Sequence, residues 1–132
     1  MRIMKIDHVA LYCKDLEGMK QFFIDFFEAK PNELYHNPRT GLKTYILSFP
    51  EGDTRLEIMY RPDAGKQIGD EYLHLGYIHT SFSVGSREKV DSLTARLEQY
   101  GYQVHSGPRT TGDGYYESCV EGPEKILIEI TV

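Results

Sequence analysis

The chain has 132 residues, 40% hydrophobic and 27% charged, with ten Tyr, six Phe and no Trp. That balance suits one globular domain, or two small modules sharing a core. A net charge of −5 lacks the basic footprint that non-specific nucleic-acid binding needs. No apolar run approaches the roughly 18 residues of a bilayer span, so neither a nucleic-acid nor a membrane partner is expected.

In chain order, "MRIMKIDHVALYC" runs straight into a strand pattern, without the apolar core and small-residue cleavage site of a signal peptide. The two cysteines, Cys13 and Cys119, sit in strand-like runs and form no CxxC pair. Buried, reduced thiols and a cytoplasmic location are expected. Residues 6–13 alternate as a strand, with His8, Ala10 and Tyr12 on one face. A helix follows, with Asp15 as its cap and a stripe of Leu16, Met19, Phe22, Phe23, Phe26 and Phe27, which reads as core. "PRTG" marks a turn, "KTYILSF" a strand, "PEGD" a hairpin turn and "TRLEIMY" the returning strand. "RPDAGKQIGDEYLHLGY", residues 61–77, is a polar connector. Then come the strand "IHTSFSV" and a helix capped by Ser86, with Val90, Leu93, Leu97 and Tyr100 as its apolar stripe and Gly101 at its C-terminal end. "YQVHSGP", "GYYESCV" and "KILIEITV" are the closing strands, the last two joined through "EGPE".

The two halves read alike: strand, helix, then two or three strands. Module one runs from about 4 to 60 and module two from about 78 to 132. Each has a histidine near the start of its first strand and a glutamate inside its last. Glu57 lies 49 residues beyond His8, and Glu129 lies 50 beyond His79. Placed side by side, two such modules bring two imidazoles and two carboxylates together, a donor set for zinc, nickel, cobalt or iron. A single glutamate in a half-exposed strand is ordinary; four residues at matching places in two modules are not. His36, His74 and His105 have no repeat partner and read as surface or loop residues. Arg39, Lys43, Arg61 and Arg109 are possible grips for a substrate carboxylate, though each reads more simply as a solvated charge. No nucleophile–base pair, P-loop or GxGxxG is present, and "TTGDGYY" lacks the strand-to-helix setting of a phosphate cradle.

The segments "DHVALYCKDLEGMKQFF", "RLEIMY", "LGYIHTSFSV" and "GPEKILIEI" resemble the vicinal oxygen chelate superfamily, and within it glyoxalase I (lactoylglutathione lyase). The resemblance covers nearly the whole chain. It implies an α+β fold of two βαβββ modules forming an open, cup-shaped mixed sheet. It implies one divalent metal per site, nickel or zinc ahead of cobalt, manganese or iron, held by His8, Glu57, His79 and Glu129. It implies a lyase that isomerises a thiol–2-oxoaldehyde hemithioacetal to a 2-hydroxyacyl thioester through an enediolate, as in methylglyoxal detoxification. Glu129 is the favoured base, with Glu57 the other candidate. It implies a homodimer acting on a small-molecule substrate. The family's usual last turn, D-P-D-G-N, is replaced by Gly122-Pro123-Glu124-Lys125-Ile126. The rival readings are an epimerase or thiol transferase of the same superfamily, or a small-molecule-binding, drug-sequestering protein without chemistry.

Overall fold

A computed structural model of the chain describes residues 4–65 and 75–132. Most of the connector, and His74 within it, lie outside the described residues. The chain divides into two compact units, Met1–Lys66 and Gln67–Val132.

The first unit carries strand β1 (His8–Tyr12), helix α1 (Leu16–Phe27), and strands β2 (Lys30–Pro31), β3 (Tyr35–Asn37), β4 (Leu42–Ser48) and β5 (Arg55–Tyr60). Its sheet has the order β1-β5-β4-β2, with β3 also on β4. β1 runs parallel to β5 and the remaining pairs are antiparallel. The second unit carries β6 (His79–Ser83), α2 (Arg87–Gln99), β7 (Val104–Thr110), β8 (Tyr116–Glu121) and β9 (Leu127–Thr131). Its order, β6-β9-β8-β7, repeats the plan, with β6 parallel to β9. The fold is α+β: two mixed sheets, each with one helix.

Both predicted caps form. The Asp15 carboxylate accepts from Gly18 N at 3.0 Å and the Ser86 hydroxyl accepts from Lys89 N at 3.2 Å, satisfying donors the helix leaves open. Helix α1 buries the six residues of its predicted stripe against β4 and β5. Helix α2 buries Val90, Thr94 and Leu97. Tyr100 is 66% exposed, and Thr94 occupies the stripe instead. The Thr94 hydroxyl lies 2.7 Å from that of Ser118 on β8 and donates to Val90 O at 2.6 Å, so both buried hydroxyls are satisfied.

Strands β2 and β3 do not show in the sequence pattern, and His36, read as part of a turn-rich segment, lies on β3. They are two pieces of one edge strand. Lys30 and Pro31 face Ser48 and Leu47, whereas Tyr35 faces Thr44. One extra residue on the edge side therefore makes a bulge. Asn32 closes the gap: its N donates to Ile46 O at 3.0 Å and its side-chain carbonyl accepts from Ile46 N at 2.7 Å. The matching edge strand β7 also slips register against β8, twice.

The strand parity positions the chemistry. Leu56 and Ile58 on β5 and Ile128 and Ile130 on β9 are buried, on the face of each sheet that carries the helix. The residues between them, Glu57 and Glu129, must point to the opposite face.

Candidate metal centre

In the first unit β1 pairs with β5 so that His8 faces Arg55 and Ala10 faces Glu57. In the second, His79 faces Leu127 and Ser81 faces Glu129. The glutamate thus stands two residues beyond the partner of the histidine in both units, on the same face. His8 Nε2 lies 3.8 Å from Glu57 Oε1, and His79 Nε2 lies 3.5 Å from Glu129 Oε2. The glutamate side chains are 21% and 23% exposed, the histidines 42% and 37%. Two His–Glu pairs of similar geometry thus stand at matching places in the two units.

These separations are too long for hydrogen bonds. Two ligands on one tetrahedral zinc, each bonded at about 2.0–2.2 Å, stand about 3.4 Å apart. Each pair therefore fits two corners of a coordination shell with little movement. Among the described residues, no three His, Cys, Asp or Glu side chains form a group that could hold a metal. Each pair offers two donors where a structural or catalytic divalent site takes three or four.

The surroundings of the two pairs differ. In the first unit Asp7 Oδ2 lies 2.8 Å from His8 Nδ1 and accepts from Arg55 Nη2 at 2.6 Å. These two bonds hold the Asp7 carboxyl below its ordinary range, that with His8 contributing most. Glu57 has Ala10 and Ile46 as strand neighbours. In the second unit the Ser81 hydroxyl donates to Glu129 Oε1 at 3.0 Å. Glu117, two residues from Glu129's partner Cys119 on β8, also meets the Glu129 carboxyl. Its own pKa is pushed up to about 7, first by that hydrogen bond and then by desolvation and the Glu129 charge. Burial, followed by the two glutamate charges, pushes the Cys119 thiol up, which keeps it protonated and unreactive. Neither cysteine is in a disulfide; Cys13 is buried and Cys119 half-buried.

Asp7, Arg55, Ser81 and Glu117 escaped the sequence reading. "DH" at 7–8 was visible, but its partner Arg55 lies on a different strand, and nothing in the local pattern ties 117 to 129. Of the other singled-out residues, His105 on β7 has Nε2 3.7 Å from Glu121 Oε1. Arg61 grips Asp63 through two contacts of 2.7 Å. The pair lines a pocket of about 260 Å³ with Tyr12, Ala64 and Gly65, so a substrate carboxylate there would compete with Asp63. No helix among the described residues is long and apolar enough to cross a membrane.

The whole pattern has relatives. Residues 5–130 match the model of the Glyoxalase/Bleomycin resistance protein/Dioxygenase superfamily. The chain belongs to that superfamily. It is 26% identical over 126 residues to the uncharacterized protein YqjT of Bacillus subtilis (strain 168), covering 93% of this chain and 94% of that one. It superposes on the trypanothione-dependent glyoxalase I of Leishmania major with a TM-score of 0.77 at 18% identity, over 98% of this chain and 86% of that one. It superposes on the fosfomycin resistance protein FosX of Listeria monocytogenes, in a crystal with Mn(II) and sulfate, with a TM-score of 0.71 at 19% identity, over 99% and 93%. At such identities the superpositions establish the fold, which serves more than one chemistry.

Proposed function

We propose that the chain is a metal-dependent, glyoxalase I-like lyase that isomerises the hemithioacetal of a thiol and a 2-oxoaldehyde to a 2-hydroxyacyl thioester. The observation that carries this reading is the duplicated half-site: one imidazole and one carboxylate, in the same register and at similar separations, in each unit. His8, Glu57, His79 and Glu129 hold one divalent ion, nickel or zinc before cobalt, manganese or iron. When bound, that ion supplies a Lewis acid that disperses the charge of the enediolate. Glu129 takes the proton from the carbon that bears sulfur and returns it to the neighbouring carbon. Its surroundings support this choice over Glu57. Glu129 has a hydroxyl donor in Ser81 and a second carboxyl in Glu117, which can keep a proton within its reach, whereas Glu57 has Ala10 and Ile46.

The substrate is a small thiol adduct. The Leishmania major relative depends on trypanothione, so the thiol varies within the fold and is open here. The working assembly is a homodimer, in which His8 and Glu57 of one chain meet His79 and Glu129 of the other.

The test is turnover of methylglyoxal hemithioacetals of several biological thiols by protein loaded with nickel, zinc, cobalt or manganese. Thioester should appear with at least one metal. Glu129→Gln should lower the rate by at least the roughly 10²–10⁴-fold that general base catalysis contributes. Metal-loaded protein that turns over no adduct would overturn the lyase reading in favour of an epimerase, a thiol transferase or a binding protein.

A further inference from the structure

We infer that Asp7, clamped by Arg55, is a positioning residue for His8: it fixes the imidazole with Nδ1 protonated and the Nε2 lone pair turned toward Glu57. Asp7 is joined to β5 twice. Its backbone carbonyl accepts from Arg55 N at 3.0 Å and its Oδ2 accepts from Arg55 Nη2 at 2.6 Å. The same Oδ2 lies 2.8 Å from His8 Nδ1. A carboxylate only accepts, so the ring nitrogen facing it donates. A neutral ring that donates from Nδ1 carries its lone pair on Nε2, and Nε2 is the atom 3.8 Å from Glu57 Oε1. Arg55 is the residue opposite His8 in the parallel register. Aspartate, arginine and imidazole are therefore set by one strand pairing.

Among the described residues the second unit shows no such device. Ile78 stands before His79 and Leu127 stands opposite it. The two half-sites thus share their donors but not their support, and His8 is the more rigidly prepared of the two imidazoles. On the reading proposed above, where His8 is a metal ligand, Asp7 acts as the outer carboxylate that orients a ligating histidine and raises its basicity.

Long-range proton–nitrogen NMR on 15N-labelled, metal-free protein at about pH 8.5, above the ordinary imidazole range, reads the tautomer directly. The wild type should show His8 protonated at Nδ1. Asp7→Ala should shift it toward Nε2–H, Asp7→Asn should retain Nδ1–H through its remaining carbonyl acceptor, and His79 should not change. Arg55→Gln, which leaves Asp7 in place but unclamped, should give a mixture, and carries the same test if Asp7→Ala folds poorly. Zinc affinity should fall roughly 10–100-fold in Asp7→Ala, and less in Asp7→Asn. An Nε2–H tautomer in the wild type, or one that Asp7→Ala leaves unmoved, overturns the inference. So does zinc affinity that falls in His8→Ala but not in Asp7→Ala. If His8→Ala itself leaves zinc affinity unchanged, it is the metal reading that fails, and the tautomer alone decides the role of Asp7.

Discussion

Glu57 and Glu129 occupy equivalent strand positions, yet different groups surround them. Glu129 has a second carboxyl in contact, and two carboxylates in contact hold a proton between them more tightly than either alone. The Glu117 pKa of about 7 lies above its usual 4.5. Between those values the metal-free folded chain binds more protons than the unfolded one. Its stability therefore falls as pH rises from about 4.5 to about 7 and then levels off. Urea unfolding of metal-free wild type and Glu117→Gln across that window should show the wild type losing ground to the variant as pH rises. Parallel curves would contradict the coupling. The two His–Glu pairs were legible in the sequence because the same spacing occurs in both halves of the chain. Glu117 was not, because its relation to Glu129 exists only through the β8–β9 register; nor was the Asp7–Arg55 contact, which depends on β1 lying beside β5.

At the level of elements, hydrophobic period and caps identified both helices and the long strands, since burial imposes one face on each. It did not reveal β2 and β3, which are two and three residues long and owe their pairing to the Asn32 bulge. It also misjudged the α2 stripe, which leaves Tyr100 exposed at its end and takes in a hydroxyl pair, Thr94 with Ser118, at its middle. That pair gives a differential prediction. Thr94→Val removes the partner of the buried Ser118 hydroxyl and should cost about 1–3 kcal/mol, the penalty of an orphaned buried polar group. Ser118→Ala should cost less, because Thr94 still donates to Val90 O. Equal losses in chemical denaturation would contradict this account. The turn between β8 and β9 makes a second prediction. Glu124 and Lys125 both have positive φ, 56° and 63°, where a side chain costs roughly 1–2 kcal/mol. Lys125→Gly should raise stability by about 0.5–1 kcal/mol after the extra chain entropy of glycine is subtracted. A lower unfolding midpoint would show that the lysine side chain contributes more than its backbone costs.

For the whole molecule, each unit carries one His–Glu pair, and the proposed site takes both. A homodimer that joins them between chains has a definite signature. Mixing inactive His8→Ala and Glu129→Ala chains should return part of the activity, because a mixed dimer holds one intact site and one with both lesions. Sites built within one chain would return none. The most direct measurement of the central claim is the metal-to-chain ratio and metal affinity of the wild type beside His8→Ala, Glu57→Gln, His79→Ala and Glu129→Gln. The account predicts one ion per chain in the wild type and weaker binding in every one of the four variants. A ratio of two, or any one of the four that binds metal as tightly as the wild type, would contradict it.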